Sequence, residues 1–461
     1  MSKGIDRRTF LKQGLFAAGG LALSGCMALP SREREPRGVA ACERLNIAGV
    51  GCGGKGASDI KATSRGQNVV ALCDVDEHRL GEAAKLYPGA KTYTDWRKLL
   101  EQKDIDALTI STPDHMHAPI ALAAMELGKH VYVQKPLTLT VLEARQLALA
   151  AKKYDVVTQM GNQGHSSSGL RSVVKTLQDG VIGRVKEAHV WTDRPIWPQG
   201  IERPKGAETP PSYLHWDGWL GVAPYRPYVG KVDDKPGCPY HPFRWRGYLD
   251  FGTGALGDMG CHLVDPTVWG LALGPALRVW SDGPAPNSET YPTWEIIHCE
   301  FAPTPYTAPG FTMTWYDGGK RPPREMIPLP ETEMKDGKPE PVKITTNGTL
   351  YIGERGVILC SHGGPPQLLP KEQWRDYRPP VVPGDDHYQQ WVRACKGTCA
   401  VTGGFDYSGP LTETVLLGTI AVRFPGKKLE WNSKDLKFTN EPLANAFVHH
   451  RYREGWQLKG L

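Results

Sequence analysis

Leu45-Asn46-Ile47-Ala48-Gly49-Val50 runs straight into Gly51-Cys52-Gly53-Gly54-Lys55-Gly56 and then a helix-like segment ending near Arg65. An apolar strand, a glycine turn and a helix in that order form a dinucleotide-binding turn. Gly51 permits the tight turn, Gly53 lets backbone approach a pyrophosphate, and Gly56 lets helix and strand pack closely. Gly54 belongs to the same cradle. A second apolar strand, Val69 to Cys73, ends at Asp74, where an acid can accept from the hydroxyls of an adenosine ribose. That acid favours NAD over NADP. The competing reading is an ordinary turn followed by a helix-capping Asp74.

Downstream, helical patterns at 77–86, 96–100, 119–127 and 142–154 alternate with apolar strands at 107–110, 130–133 and 156–160. Such alternation predicts an α/β, doubly wound parallel sheet over 44–160, with ligands at the carboxyl ends of its strands. The polar residues gather at those ends: Ser111, Thr112 and Asp114 after one strand, Gln134 and Lys135 after the next. From 161 to 431 the pattern changes. A helix at 169–179 and a strand at 184–192 lead into a Trp-, Pro- and Gly-rich excursion from Arg194 to Phe251. Strand-like stretches at 293–301, 311–316 and 349–360 follow. Consecutive strands with few helices predict an α+β domain with an open, mostly antiparallel sheet. Residues 432–461 read as a tail packing on the core.

Upstream of residue 44 the sequence reads as an address. Asp6-Arg7-Arg8-Thr9-Phe10-Leu11-Lys12 and the Gly- and Ala-rich run to Ser24 resemble a twin-arginine export signal. Leu23-Ser24-Gly25-Cys26 resembles a lipobox that would acylate Cys26. Residues 27–43 read as a tether. The protein is therefore expected in the periplasm or cell envelope, meeting the membrane only through Cys26. Export in folded form suits a chain that closes around its cofactor first. Among 461 residues, 40% hydrophobic with a net charge of +6, no basic block outside the signal points to nucleic acid. The cysteines are scattered. Cys395 and Cys399 are close enough to pair, but free thiols are the expectation, and no metal-ligand set is expected. Fourteen tryptophans, many in loops, are platforms for sugar rings or anchors for long loops.

Lys135 precedes Pro136, which holds its backbone extended and fixes its ammonium at the sheet edge. Far along the chain, Gly252-Thr253-Gly254-Ala255-Leu256-Gly257-Asp258-Met259-Gly260-Cys261-His262 places Asp258 and His262 four residues apart, on one helix face. An imidazole beside a carboxylate and a lysine can take a hydroxyl proton while hydride leaves the carbinol carbon. An isolated pair of this kind would ordinarily be a capping Asp and a packed His.

Together, the glycine loop, Ser111-Thr112-Pro113-Asp114-His115-Met116-His117, Lys135-Pro136 and the Gly-Asp-x-Gly-x-His segment resemble the glucose-fructose oxidoreductase, inositol dehydrogenase and rhizopine-catabolism (Gfo/Idh/MocA) superfamily. The resemblance covers about 44–431. It implies bound NAD, a homo-oligomer built on the open sheet, Lys135 polarising the reacting hydroxyl, Asp258 supporting it, His262 transferring the proton, and His117 against the cofactor. Two positions depart from the family pattern: Gln134 stands for the usual Glu and Asp114 for the common Asn. Gly161-Asn162-Gln163-Gly164-His165 should aim polar groups at the substrate, with Arg171, His241, Trp245, Arg246, Trp315, Tyr316 and Asp317 as further sugar contacts. The expected activity is oxidation of a ring hydroxyl, at C3, of a sugar, glycoside or cyclitol. The alternatives are an NAD-dependent glycosidase, with His165, Tyr316 or Asp317 as an added base near C2, and a non-catalytic sugar-binding lipoprotein.

Overall fold

Eleven elements alternate through the first third of the chain: β1 (Asn46–Val50), α1 (Lys55–Thr63), β2 (Asn68–Cys73), α2 (Glu77–Leu86), β3 (Lys91–Tyr93), α3 (Trp96–Leu100), β4 (Ala107–Ile110), α4 (His117–Glu126), β5 (His130–Val133), α5 (Val141–Lys153) and β6 (Thr158–Met160). The structure is a computed structural model and describes residues 43–461 apart from 233–234 and 336–337. The twin-arginine motif, Cys26, Cys42 and the tether lie outside the described residues. The six strands are parallel in the order β3-β2-β1-β4-β5-β6. The winding reverses between β1 and β4, and this switch opens a crevice at their carboxyl ends. Gly56 is required where α1 turns away: a Cβ there would overlap the Gly51 carbonyl, and Gly51 itself sits at φ +84°.

The remainder comprises α6 (Ser168–Gln178), β7 (Val185–Trp191), α7 (Trp216–Leu220), α8 (Gly254–Leu263), α9 (Asp265–Gly270), β8 (Ala276–Asp282), β9 (Ile296–Phe301), β10 (Thr307–Tyr316), β11 (Gly348–Gly353), β12 (Val357–Ser361), β13 (Gln367–Leu369), α10 (His387–Cys395), α11 (Phe405–Ala421), β14 (Leu429–Asn432) and β15 (Lys437–Phe438). Its sheet runs β13-β12-β11-β7-β10-β9-β8-β14-β15. Only β7 with β10 is parallel; the other pairs are antiparallel. The α/β plus α+β architecture expected from the sequence is present. The stretch 349–360 is not one strand but the hairpin β11/β12, because Gly353 to Gly356 turns the chain back on itself.

Helix α11 joins the two halves. It is apolar on nearly every side, with Leu411, Val415, Leu416, Leu417 and Ile420 all buried, so it packs against α5, α8, β6 and β8 at once. A bidentate pair ties it to α5: Arg145 Nε and Nη2 donate to Glu413 at 2.6 and 2.7 Å. The segment after β15 folds back, burying Ala444, Val448 and Tyr452, whose hydroxyl donates to Glu143 at 2.7 Å.

The excursion 194–251 has its own small core of Trp216, Trp219, Tyr240, Trp245, Tyr248 and Phe251. Trp216 and Trp219 stack on each other at 4.8 Å, and Trp191, Trp315 and Trp391 are fully buried elsewhere. Most of these indoles therefore anchor loops or fill cores; Trp219 and Trp245 also reach the cavity described below. Cys395 and Cys399 are free thiols.

Candidate active site

A cavity of about 360 Å³ opens at the β1/β4 switch point and extends from the glycine turn to α8. At one end are Gly51, Gly53 and Gly54 and the first turn of α1. That helix has no side-chain cap and no acid in its first turn. Its amide donors and the positive end of its dipole are thus left for an anionic ligand. Asp74 lines the same end. Its Oδ2 accepts from the Cys52 amide at 2.7 Å and its Oδ1 from the Asp76 amide at 2.9 Å. Burial pushes its carboxyl up, and those two amides oppose the rise. Asp76, not Asp74, caps α2, which leaves Asp74 facing the cavity with lone pairs to spare. Arg79 and His241, both drawn to Asp76 at 3.3 and 2.9 Å, complete this wall. The donor set and the acid fit the pyrophosphate and adenosine ribose of NAD.

The middle of the cavity rests on a buried carboxylate that sequence reading missed. Asp59, fully buried on α1, accepts from Ser111 Oγ at 2.9 Å and from Gln134 Nε2 at 2.8 Å, and pairs with Lys55. This accounts for Gln134: a glutamate there would set a second carboxylate against Asp59. Asp114 likewise has a partner suited to it, since Thr253 Oγ1 donates to its Oδ2 at 2.7 Å. Burial pushes the Asp114 carboxyl up to about 7, opposed by Thr253, Arg246 and Lys135. Thr112 lines the cavity beside them. His117 does not. Its ring is buried, with nitrogens 2.8 Å from the carbonyls of Pro136 and Thr112, so it ties the 111–117 turn to the end of β5.

At the far end Lys135 Nζ donates to Asp258 Oδ1 at 2.8 Å and to the Asp258 carbonyl. Burial alone would raise the Asp258 carboxyl; Lys135 and Arg246 outweigh it and hold it at about 2. Asp258 is therefore an anion that orients the ammonium. His262, one helical turn on, lies 2.6 Å through Nδ1 from Asn162 Oδ1. The Asn162 amide nitrogen donates to the Cys261 carbonyl at 2.8 Å and to Asp265 Oδ2 at 3.0 Å. With that nitrogen so committed, the Asn162 oxygen is the acceptor, and the proton of His262 sits on Nδ1. Nε2 then carries a lone pair. Burial, with Lys135 and His362 close by, holds the imidazole well below its usual pKa. At neutral pH His262 is an uncharged base.

Asp265 anchors this chain. Besides Asn162 it accepts from His165 Nδ1 at 2.9 Å and from the Tyr407 hydroxyl. His165 is buried against Trp269, at 4.2 Å between rings, and holds Asp265 rather than substrate. The other sugar contacts expected from sequence separate into two groups. Gln163, His241, Trp245 and Arg246 line the cavity. Arg171 instead reaches the carbonyls of His165 and Pro383, Trp315 donates to Asp317 at 2.8 Å within the sheet core, and Tyr316 packs beside His189. Asp317 is buried against Glu295. These four and His165 do not reach the cavity. The structure adds His362, at the end of β12, whose ring lies 5.1 Å from that of His262.

A parallel sheet with a glycine cradle at its switch point is the architecture of a dinucleotide-binding oxidoreductase. Residues 44–162 match the model of an oxidoreductase family with an NAD-binding Rossmann fold, and residues 174–304 match the C-terminal alpha/beta domain of that family, together more than half of the chain. The protein belongs to this Gfo/Idh/MocA family. A levoglucosan dehydrogenase of Pseudarthrobacter phenanthrenivorans is 26% identical over 195 residues, 42% of this chain and 40% of that one. A glycosyl hydrolase family 109 protein of Saccharopolyspora erythraea is 30% identical over 206 residues, 40% of this chain and 45% of that one. The match thus spans under half the length of these curated relatives. Among solved structures, the WlbA dehydrogenase of Bordetella pertussis in complex with NADH and UDP-GlcNAcA aligns with a TM-score of 0.57 and 16% identity over 84% of this chain and 98% of that one, a likeness of fold.

Proposed function

We propose that this protein uses tightly held NAD to oxidise a ring hydroxyl, with C3 the expected carbon, of a sugar, glycoside or cyclitol. The observation that carries this reading is the junction of Lys135, Asp258 and His262 on one cavity wall, with the His262 lone pair free at Nε2. NAD supplies the hydride-accepting carbon when bound. Lys135 donates to the reacting oxygen and stabilises charge as it develops there. His262 Nε2 takes the hydroxyl proton. Asn162 keeps the opposite nitrogen protonated, and Asp258 keeps the ammonium in place.

The likeness to family 109 glycosyl hydrolases favours a second reading, in which oxidation is transient and acidifies the neighbouring C2 proton, so that the aglycone is eliminated, water adds and the carbonyl is reduced again. His165, Tyr316 and Asp317, buried away from the cavity, do not suit the added base; His362, whose ring lies 5.1 Å from that of His262, is the nearest further imidazole to the reacting groups. Product masses from natively purified, NAD-loaded protein distinguish the two. Loss of two hydrogens supports net oxidation, cleavage without an external acceptor supports the glycosidase, and neither outcome for any sugar leaves the binding-protein reading. Export through Arg7-Arg8, anchoring at Cys26 and self-association belong to the same proposal, since a cofactor that stays bound suits an enzyme outside the cytoplasm.

A further inference from the structure

Three cations converge on the single carboxylate of Asp258. Lys135 Nζ is 2.8 Å from Oδ1, Arg246 Nε is 3.4 Å from the same oxygen, and Arg194 Nε is 3.7 Å from Oδ2. The ammonium makes the close hydrogen bond. Both guanidinium contacts exceed ordinary hydrogen-bond length, so these groups are held nearby without being saturated. Their directions are fixed from outside the ion pair. Arg246 lies over Trp245 and Phe243 at 4.3 and 4.6 Å and donates to the Phe243 carbonyl at 3.0 Å. Arg194 pairs with Asp193, and its carbonyl accepts from the Gly318 amide at 2.8 Å.

The three cations outnumber the two carboxylates, Asp258 and Asp193, that pair with them. Asp193 offsets one cation but also faces Arg321. Asp114 lines the same cavity with its carboxyl pushed up to about 7, so it offsets part of one charge at neutral pH. Burial disfavours the charged forms of His262 and His362. The Arg194 and Arg246 side chains keep 25% and 23% of their surface in solvent; Arg246 lines the cavity, and Arg194 stands 3.7 Å from the carboxylate of Asp258, which also lines it.

We infer that the substrate is an acidic sugar whose carboxylate or sulfate oxyanion is received by Arg194 and Arg246. Planar guanidinium forks match such oxyanions two oxygens at a time. Both arginines come from the excursion 194–251, which interrupts the regular part of the fold. This inference rests on the carbohydrate reading above, which concerns the reacting hydroxyl; the arginines would bind a different part of the same molecule.

The test uses NAD-loaded protein and matched methyl glycosides: glucoside and galactoside, each beside its uronide and its primary sulfate ester. Binding is followed by tryptophan fluorescence and turnover by nicotinamide absorbance and product mass. The expected result is binding of a charged sugar at least about tenfold tighter than that of its neutral partner, as charge-assisted hydrogen bonds provide, with the preference weakening as salt is raised. Uronide and sulfate arms identify which oxyanion is taken. Arg194→Gln and Arg246→Gln should each lower the preference by about threefold or more. Should Arg246→Gln fail to fold, Arg194→Gln carries the test, because it leaves the aromatic stack intact. No preference in any pair, including no binding, or a preference that survives loss of the arginines, overturns the inference. Selective binding without oxidation or cleavage would sink the oxidoreductase reading and leave this one standing; equal oxidation of neutral and charged sugars would do the reverse.

Discussion

The imidazole of His262 and the side-chain amide of Asn162 meet at 2.6 Å, nitrogen to oxygen, and this contact sets the chemistry available to the histidine. A helix residue and a loop residue 100 positions apart fix a tautomer that neither could fix alone. Two substitutions test the pair. His262→Ala should slow turnover by about a hundredfold or more with NAD still bound. Asn162→Leu, which removes the acceptor for His262 together with the amide that donates to Cys261 and Asp265, should lower kcat by about tenfold with little change in KM, because the base is present but no longer held in one tautomer. Steady-state kinetics with the NAD content of each variant decide this; near-parental kcat in His262→Ala would reduce it to a packed helix residue.

Asp74 should set cofactor choice. Its carboxylate would repel a 2′-phosphate while accepting from free ribose hydroxyls, and Arg79, the nearby cation, is drawn to Asp76 at 3.3 Å. Asp74→Ser should shrink the preference for NAD over NADP by about tenfold or more. Titration of cofactor-free protein with each dinucleotide measures it, and an unchanged ratio would refute the assignment.

Gln134 is matched to Asp59. Gln134→Glu should destabilise the fold by about 2 kcal/mol at neutral pH, because a buried carboxylate would replace the amide that donates to Asp59 at 2.8 Å. Adding Asp59→Asn should recover much of the loss, since an amide would again face a carboxylate. Denaturant unfolding of the single and double variants gives the coupling directly; strictly additive effects would contradict it.

Asp114 predicts a pH dependence. Its folded carboxyl is pushed up to about 7, above the unfolded value near 3.8. Between those values the folded state holds a proton that the unfolded state has released, so stability falls as pH rises from about 4 to 7 and then levels. Asp114→Asn removes that fall. The stability difference between variant and parent should grow in the variant's favour over this range, by up to about 4 kcal/mol. Thermal unfolding at pH 5 and pH 8 tests it, and a difference independent of pH would count against a buried, protonated Asp114.

The glycine turn, Asp74 and the alternation through residue 160 were legible because each depends on local rules: backbone freedom at glycine, strand ends that carry ligands, and periodicity. Gly51, Gly53, Gly54, Asp74, Ser111, Thr112, Asp114, Gln134, Lys135, Asp258 and His262 all line one cavity. Helix α11 was not legible, because it is buried on nearly every side and so has no polar face to mark its period. The sugar contacts mixed true wall residues with buried ones for a related reason. Along β10 alternate side chains point to opposite faces, and only the sheet's neighbours decide which face is covered, so Trp315 and Tyr316, like Asp317 just beyond the strand, are buried in the interior. Asp59, Asn162, Asp265, Arg194 and His362 acquire their meaning only from partners far away in the chain. The local sequence thus determined the fold class and the cofactor cradle and marked Lys135, Asp258 and His262 as candidate reacting groups; the tertiary structure alone decided which nitrogen of His262 is basic and how many cations share Asp258, because both depend on side chains that only long-range packing brings together.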